Sequence, residues 1–443
     1  MGLAAQVRST MSDPDLRVVI AHGTSALLIK VAAAALSFVM LVVIANSMSP
    51  SEYGKFAFGF SLAITLSTIA GLGLGTAILR FLPQYSSTGE SSLARGFMLA
   101  AGGASIVVPV LTGIALALGI KTYTRFWPGS DLDFLIMAAV LIPVMAVGEF
   151  VASALRAQGL TIASMAPRDI VWRAAVAGLA FLAIHFGFQL DSGEMLLLAS
   201  LTLLAIVVGQ LFYARFSIGQ VIAGKSSHQD YPLWIKTLLP MWGAASLYAL
   251  VQQFDVVILG LFLSPEDSGS YFAALRTAGL LSLLLIAGNM ISAPLIAKYY
   301  HNGDRAMLQK LVRLLTAGIA IPTLLGLLFL TLIGGWLLRL YDPSFTSAYP
   351  ILLILGVGFT FDAVAGPTGY MLQMVGKENA YLKIMACAYA FTLGLQCILI
   401  PIFGAYGAAI PNALGLILAN IFIIRTVKKE LGIDPSLIGL LRS

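Results

Sequence analysis

The chain has 443 residues, of which 59% are apolar and 10% charged, with 26 Lys and Arg against 20 Asp and Glu for a net charge of +6. A soluble domain carries roughly 25% charged residues, so a soluble enzyme and a disordered chain are both excluded as whole-chain readings. The apolar runs are about 20 residues and more, in place of the alternating ten-residue segments of a membrane barrel, so the spans are helices in lipid.

The pattern predicts an all-α, polytopic membrane protein with about twelve transmembrane helices. The polar stretch Met1 to Arg17 lacks the apolar core and small-residue site of a cleaved leader and reads as a cytoplasmic tail. Spans follow at 22–47, 54–81, 95–119, 133–155, 168–187 and 195–214, which make an N-terminal bundle over 1–217. A polar connection over 218–236, with Gly224, Lys225, Ser226, Ser227 and His228, reads as a linker. A second bundle over 237–443 holds spans at 237–262, 269–297, 309–337, 348–374, 381–402 and 405–426. Cys387 and Cys397 share one predicted helix, too far apart to bridge, and no metal-ligand spacing is present.

Lys and Arg gather on one side of the spans; the other side holds Lys55, Lys121, Arg125 and Arg339, while Lys30 and Arg276 fall inside spans. That bias places both termini in the cytoplasm and explains the basic balance without nucleic acid.

An internal repeat joins the bundles. Ser49-Pro50-Ser51-Glu52-Tyr53-Gly54-Lys55-Phe56 follows the first span, and Ser264-Pro265-Glu266-Asp267-Ser268-Gly269-Ser270-Tyr271 follows the seventh, 215 residues later. Gln158-Gly159 matches Val375-Gly376, and Phe186-Gly187 matches Phe403-Gly404, at an offset of 217. Proline fixes φ, an acid suits a helix N-terminus and glycine suits a tight turn. Six spans between copies give both halves one orientation, a parallel repeat whose two bundles can rock about a central site.

These segments resemble a known group. Ser49 to Phe56, followed by Ala70-Gly71-Leu72-Gly73-Leu74-Gly75-Thr76-Ala77-Ile78-Leu79-Arg80-Phe81, is similar to the start of the polysaccharide-biosynthesis (O-antigen type) oligosaccharide flippases. These belong to the multidrug/oligosaccharidyl-lipid/polysaccharide exporter superfamily. Phe254 to Gly260 with Gly269 to Arg276 resembles that family's seventh–eighth helix hairpin, and Ile400 to Ala409 its eleventh–twelfth helix junction. The resemblance implies an inner-membrane flippase and no enzyme. It would carry a polyprenyl-diphosphate-linked oligosaccharide to the outer leaflet by alternating access, for O-antigen or exopolysaccharide synthesis. The implied partners are that glycolipid, membrane lipid, a polysaccharide polymerase and glycosyltransferases, with no nucleic acid. No cofactor is implied beyond proton or sodium coupling.

An ionisable group at the centre of a span costs about 2.5–3.5 kcal/mol on insertion scales, so each asks for a partner or a wet cavity. Five do so here: Lys30, Glu149, Asp255, Arg276 and Asp362. Asp255 and Arg276 lie at similar depths on neighbouring helices, and an ion pair across the hairpin is expected. The second reading turns Arg276 to the cavity, where its planar fork grips a diphosphate or an acidic sugar. Lys30 either snorkels to the cytoplasmic interface or meets the diphosphate, with Glu149 as its neutralising partner. Glu149, Asp255 and Asp362 are the coupling or ion-pair candidates. Gln252, Gln253 and Asn289 are candidates for sugar hydroxyls, though interhelical hydrogen bonds explain them equally. Gly71, Gly73 and Gly75 lie in an apolar span and read as close helix packing. Pro109, Pro143, Pro240, Pro294, Pro322 and Pro367 suit kinks. The alternatives are a multidrug or other cation-coupled exporter of the same superfamily, a peptidoglycan-precursor flippase, and a membrane enzyme acting on glycans.

Overall fold

The computed structural model describes residues 14–128, 131–222, 228–433 and 435. The expected tail before residue 14, the linker residues Gly224, Lys225, Ser226 and Ser227, and the stretch from 436 onward lie outside the described residues. Every regular element among the described residues is helical.

The first half runs α1 (Pro14–Asn46), α2 (Pro50–Ala70), α3 (Leu74–Thr88), α4 (Ser91–Phe126), α5 (Phe134–Ala157), α6 (Thr161–Ala166), a π-helical turn (Pro167–Val171), α7 (Trp172–His185) and α8 (Ser192–Ile222). The second half runs α9 (Tyr231–Phe262), α10 (Pro265–Ala278), a 3₁₀ turn (Gly279–Ser282), α11 (Leu283–His301), α12 (Arg305–Arg339), a second 3₁₀ turn (Pro343–Ala348), α13 (Tyr349–Val364), α14 (Thr368–Met374), α15 (Glu378–Phe403) and α16 (Tyr406–Leu431). Eleven of these helices or joined pairs are long and apolar enough to cross a membrane. The fifth expected span is outside that eleven. Its pieces run on without a gap from Thr161 to His185, and every 18-residue stretch of that run holds three charged residues, Arg168, Asp169 and Arg173.

Within the first half α5 packs against α8, α4, α2 and α3, and α1 packs against α7. Within the second half α16 packs against α15 and α13, and α12 against α13 and α11. Between the halves the main contact is α2 with α9 and α10. The prolines at 109, 143, 240 and 322 stay inside continuous helices, and Pro367 stands at a break, between α13 and α14.

The repeat is built the same way twice. Ser49 and Ser264 are extended N-caps whose hydroxyls accept the N–H of Glu52 and of Asp267, at 3.3 and 3.2 Å. Pro50 and Pro265 open the two helices, where a missing N–H costs nothing. Gly159 and Gly376 follow α5 and α14 with φ of +79° and +77°, the left-handed stop that glycine adopts without strain. The two halves differ at the breaks. Span two is split at Leu72 and Gly73, both with positive φ, where an added Cβ on Gly73 would stand 2.9 Å from the Trp242 backbone nitrogen. Span eight passes through the 3₁₀ turn at Gly279–Ser282 with no positive φ. At the end opposite the two motifs, Lys377, on the connection before α15, pairs with Glu430 at 2.7 Å. That hydrogen bond lifts the Lys377 pKa above its ordinary value.

Candidate functional site

The two Ser-Pro motifs clasp each other. An added Cβ on Gly54 would lie 1.6 Å from the carbonyl oxygen of Pro265, and one on Gly269 would lie 3.1 Å from the Gly54 Cα. Only two glycines let α2 and α10 approach so closely. Aromatic rings fill the seam below them. Tyr53 lies 6.2 Å from Phe272, 6.1 Å from Tyr341 and 5.6 Å from Phe345, and Phe38 meets Tyr341 edge-on at 5.6 Å. Asn46 Nδ2 donates across the seam to the Leu340 carbonyl at 2.7 Å. The motif end is therefore shut between the halves.

Toward the other end the first half carries a charged cluster on α1, α5 and the irregular fifth span. Lys30 donates to Asp169 Oδ2 at 2.7 Å, and Arg173 bonds the other oxygen of the same carboxylate at 3.0 Å. Glu149 is held by Arg156 at 3.1 Å and Arg168 at 2.5 Å. Two carboxylates thus serve four cations, and the cluster keeps a surplus of positive charge. The Lys30 side chain stays 45% exposed while that of Asp169 is 10% exposed.

The second half adds Arg276. Its Nη2 donates to Gln253 Oε1 at 2.8 Å, and its guanidinium lies 4.7 Å from the centre of the Phe272 ring. Neither of these partners carries charge, and the Asp255 carboxylate acts on the guanidinium electrostatically without bonding it. Arg276 stands within electrostatic reach of Arg173 in the first half. By helix rise, Arg276 is about 17 Å and Arg173 about 18 Å from the motif ends of their spans, close to half of a ~30 Å hydrocarbon core. Lys30 is about 24 Å from the same end of its helix. The three cations form a ladder from the basic end to mid-depth.

Two expected pairings give way to others. The expected Asp255–Arg276 ion pair is absent: Asp255 accepts from Tyr271 at 2.6 Å and Asn412 at 3.1 Å. Tyr271 and Arg276 are five residues apart on α10, about 140° around the helix, so they cannot both face Asp255. Nor does Glu149 neutralise Lys30; Asp169 does. The expected fifth span began at residue 168. The chain instead enters the bundle at Thr161, which carries Arg168, Asp169 and Arg173 inside. Their signal was a carboxylate flanked by two arginines, counted as loop charge. Of the remaining candidates, Gln252 is exposed and Gln253 is buried on Arg276. Asn289 is half-buried, with no partner for its side-chain oxygen among the described residues. Asp362 accepts from Asn420 at 2.8 Å. No group of His, Cys, Asp and Glu suited to a metal ion occurs among the described residues.

The sequence pattern of the family described as "Polysaccharide biosynthesis protein" matches residues 19–300. The chain is 30% identical over 264 residues to the probable flippase AglR of Haloferax volcanii, a match that spans 54% of each chain. It is 23% identical over 385 residues to the probable low-salt glycan biosynthesis flippase Agl15 of the same organism, covering 86% of this chain and 77% of that one. In fold it is similar to the inward-facing conformation of a multidrug resistance MATE family transporter of the MOP superfamily. There the TM-score is 0.71 at 16% identity, over 92% of this chain and 94% of that chain.

Proposed function

The chain belongs to the polysaccharide biosynthesis protein family, and from that premise we propose that it is a lipid-linked oligosaccharide flippase. The polar head of a polyprenyl-diphosphate glycan passes between the halves while its lipid tail stays in the bilayer. One observation carries this reading: Lys30 and Arg173 of the first half and Arg276 of the second stand as a ladder of cations from the basic end to mid-depth. A cation at such depth is costly unless it faces a ligand or water. Arg binds diphosphate with two parallel bonds and without losing its charge. The glycosidic part needs neutral donors and acceptors, and Gln252, Gln253 and Asn289 are assigned that role, with Gln253 bonded to Arg276.

Asp169 and Glu149 hold the cationic side chains in place and leave the cluster a surplus of positive charge. Closure at the Gly54–Gly269 clasp with an accessible Lys30 fits the state that accepts substrate from the basic side. Rocking the halves to open the clasp completes alternating access. The protein then lies in the inner membrane with both termini cytoplasmic, and the N-terminal and C-terminal bundles are joined over 218–236.

The test is export of surface glycan in a strain lacking the gene and supplied with variants. Arg276→Ala abolishes export while the protein still inserts, and Lys30→Ala reduces it. Intact export in both variants refutes the cationic route. Drug efflux by the purified protein, with no glycan defect on deletion, decides for a multidrug exporter.

A further inference from the structure

We propose that the chain just past α16, at Gly432, Ile433 and Pro435, is a latch. Docked, it holds the break in span ten in the setting that accompanies a shut motif end, and it leaves its seat when that end opens. The inference rests on the transporter reading above and concerns how the movement of the halves is gated.

Helix α16 ends on Gly432, whose φ of +67° and N–H bond to the Lys428 carbonyl at 3.1 Å turn the chain back toward the bundle. Ile433 is then 3% exposed, in a cluster with Leu308 and Val312 of α12, Met371 and Leu372 of α14 and Ile423 of α16. Pro435 is buried too, and its carbonyl accepts from the Thr316 hydroxyl of α12 at 3.0 Å. Thr316 itself is fully buried. Thr65, Thr277 and Thr323 donate to the carbonyl four residues back in their own helices, which satisfies a hydroxyl inside a span without any neighbour. Thr316 instead donates to a segment 119 residues away.

The other side of Thr316 touches the break. An added Cβ on Gly366 would stand 2.2 Å from Thr316 Oγ1, and Gly366 has a φ of +74° just before Pro367. One hydroxyl thus has the latch on one side and the hinge on the other. From the break, α13 runs back to the 3₁₀ turn at Pro343–Ala348, where Phe345 meets Tyr53 across the seam, and α13 itself packs on α10. Helix α13 is therefore a rod with one end at the seam and the other at Thr316. Parting the halves at the seam tilts it, and close packing leaves no slack at Gly366. The hinge then moves against Thr316, and the hydroxyl loses its acceptor.

The first half fills the matching seat in another way. At the motif offset of 215 residues, Val312 corresponds to Phe97 and Thr316 to Ala101, and all four are buried. There the seat holds Trp234, in one cluster with Phe97 and Ala101, with its ring 5.3 Å from that of Phe97 and its N–H on the Tyr85 hydroxyl. An indole is a large anchor. The second half uses an isoleucine, a proline and one hydrogen bond, a lighter hold that suits a part released in each cycle.

The experiment uses the full chain in lipid nanodiscs, with Cys387→Ser and Cys397→Ser because both native thiols are exposed. Ile433→Cys reports on the latch, and Ala348→Cys, in the buried part of the 3₁₀ turn at the seam, reports on the motif end. Each is labelled with a soluble maleimide, and the rate is scaled to that of the same thiol in denaturant. Gly54→Val, whose side chain has no room in the shut clasp, should speed labelling of Ile433→Cys at least about fivefold, the lower range of coupling between sites. Coupling is reciprocal. Thr316→Val, which keeps the shape and removes the hydroxyl, should therefore speed labelling of Ala348→Cys, and this variant decides the matter if Gly54→Val does not fold. Unchanged labelling of Ile433→Cys in Gly54→Val, or of Ala348→Cys in Thr316→Val, overturns the proposal and makes the segment a fixed part of the bundle. No glycan is involved, so the flippase reading and the latch stand or fall separately.

Discussion

Asp169 carries more of the candidate site than any residue singled out from sequence. It accepts from Lys30 on α1 and from Arg173 on α7, so it fixes two cations from different helices. Removing one partner of a buried charge pair costs about 3–5 kcal/mol, whereas an exposed pair is worth about 0–1 kcal/mol. Asp169 falls near the first case and the half-exposed Lys30 near the second. Asp169→Ala should therefore lower the melting temperature in detergent far more than Lys30→Ala does, and should lower surface glycan as well. Equal losses for the two would mean that the cluster has no buried anchor. Sequence alone found Lys30 and Arg276, because a lone charge in an apolar run is conspicuous. It missed Asp169 and Arg173 because charges next to a span edge look solvated, and a span edge moves by several residues with one proline.

Among elements, the pair α2 and α10 sets the seam, and the repeat in the sequence announced it. What the sequence did not carry was that the two copies touch each other: a motif states its own turn, not its neighbour. The Gly54 Cβ position overlaps the Pro265 carbonyl, so Gly54→Val cannot coexist with the closed motif end. Ala348 is 1% exposed in the 3₁₀ turn that packs on α10, so with Cys387 and Cys397 replaced by Ser, Ala348→Cys should react rapidly with a membrane-impermeant maleimide in Gly54→Val and slowly without it, with the protein still inserted. Ser49→Ala removes one cap, worth about 1 kcal/mol, and leaves the seam closed. The breaks in spans two, five and eight were also beyond the sequence reading, while the one in span ten falls at Pro367, a proline read as a kink. Hydropathy counts apolar residues and is indifferent to whether a helix turns at Leu72, at Pro167 or at Gly366.

Across the whole molecule, the all-α membrane class and the repeat were legible because lipid leaves helices few alternatives. The charge bias makes a further prediction. Epitope tags at either terminus should be digested by protease only in inverted vesicles; digestion of one tag in right-side-out cells would break the even topology. One long helix does not respect the division into halves. By sequence α9 opens the second, yet Trp234 donates to the Tyr85 hydroxyl at 2.9 Å, Trp242 donates to the Ile69 carbonyl at 2.7 Å, and the His228 N–H bonds the Ser92 carbonyl at 3.0 Å. Farther along, the same helix holds Arg276 through Gln253. It is thus riveted at one extremity to each partner, and the covalent thread between them is redundant for keeping them together. Two separately expressed fragments, divided between Ile222 and His228, should copurify from solubilised membranes as a single particle.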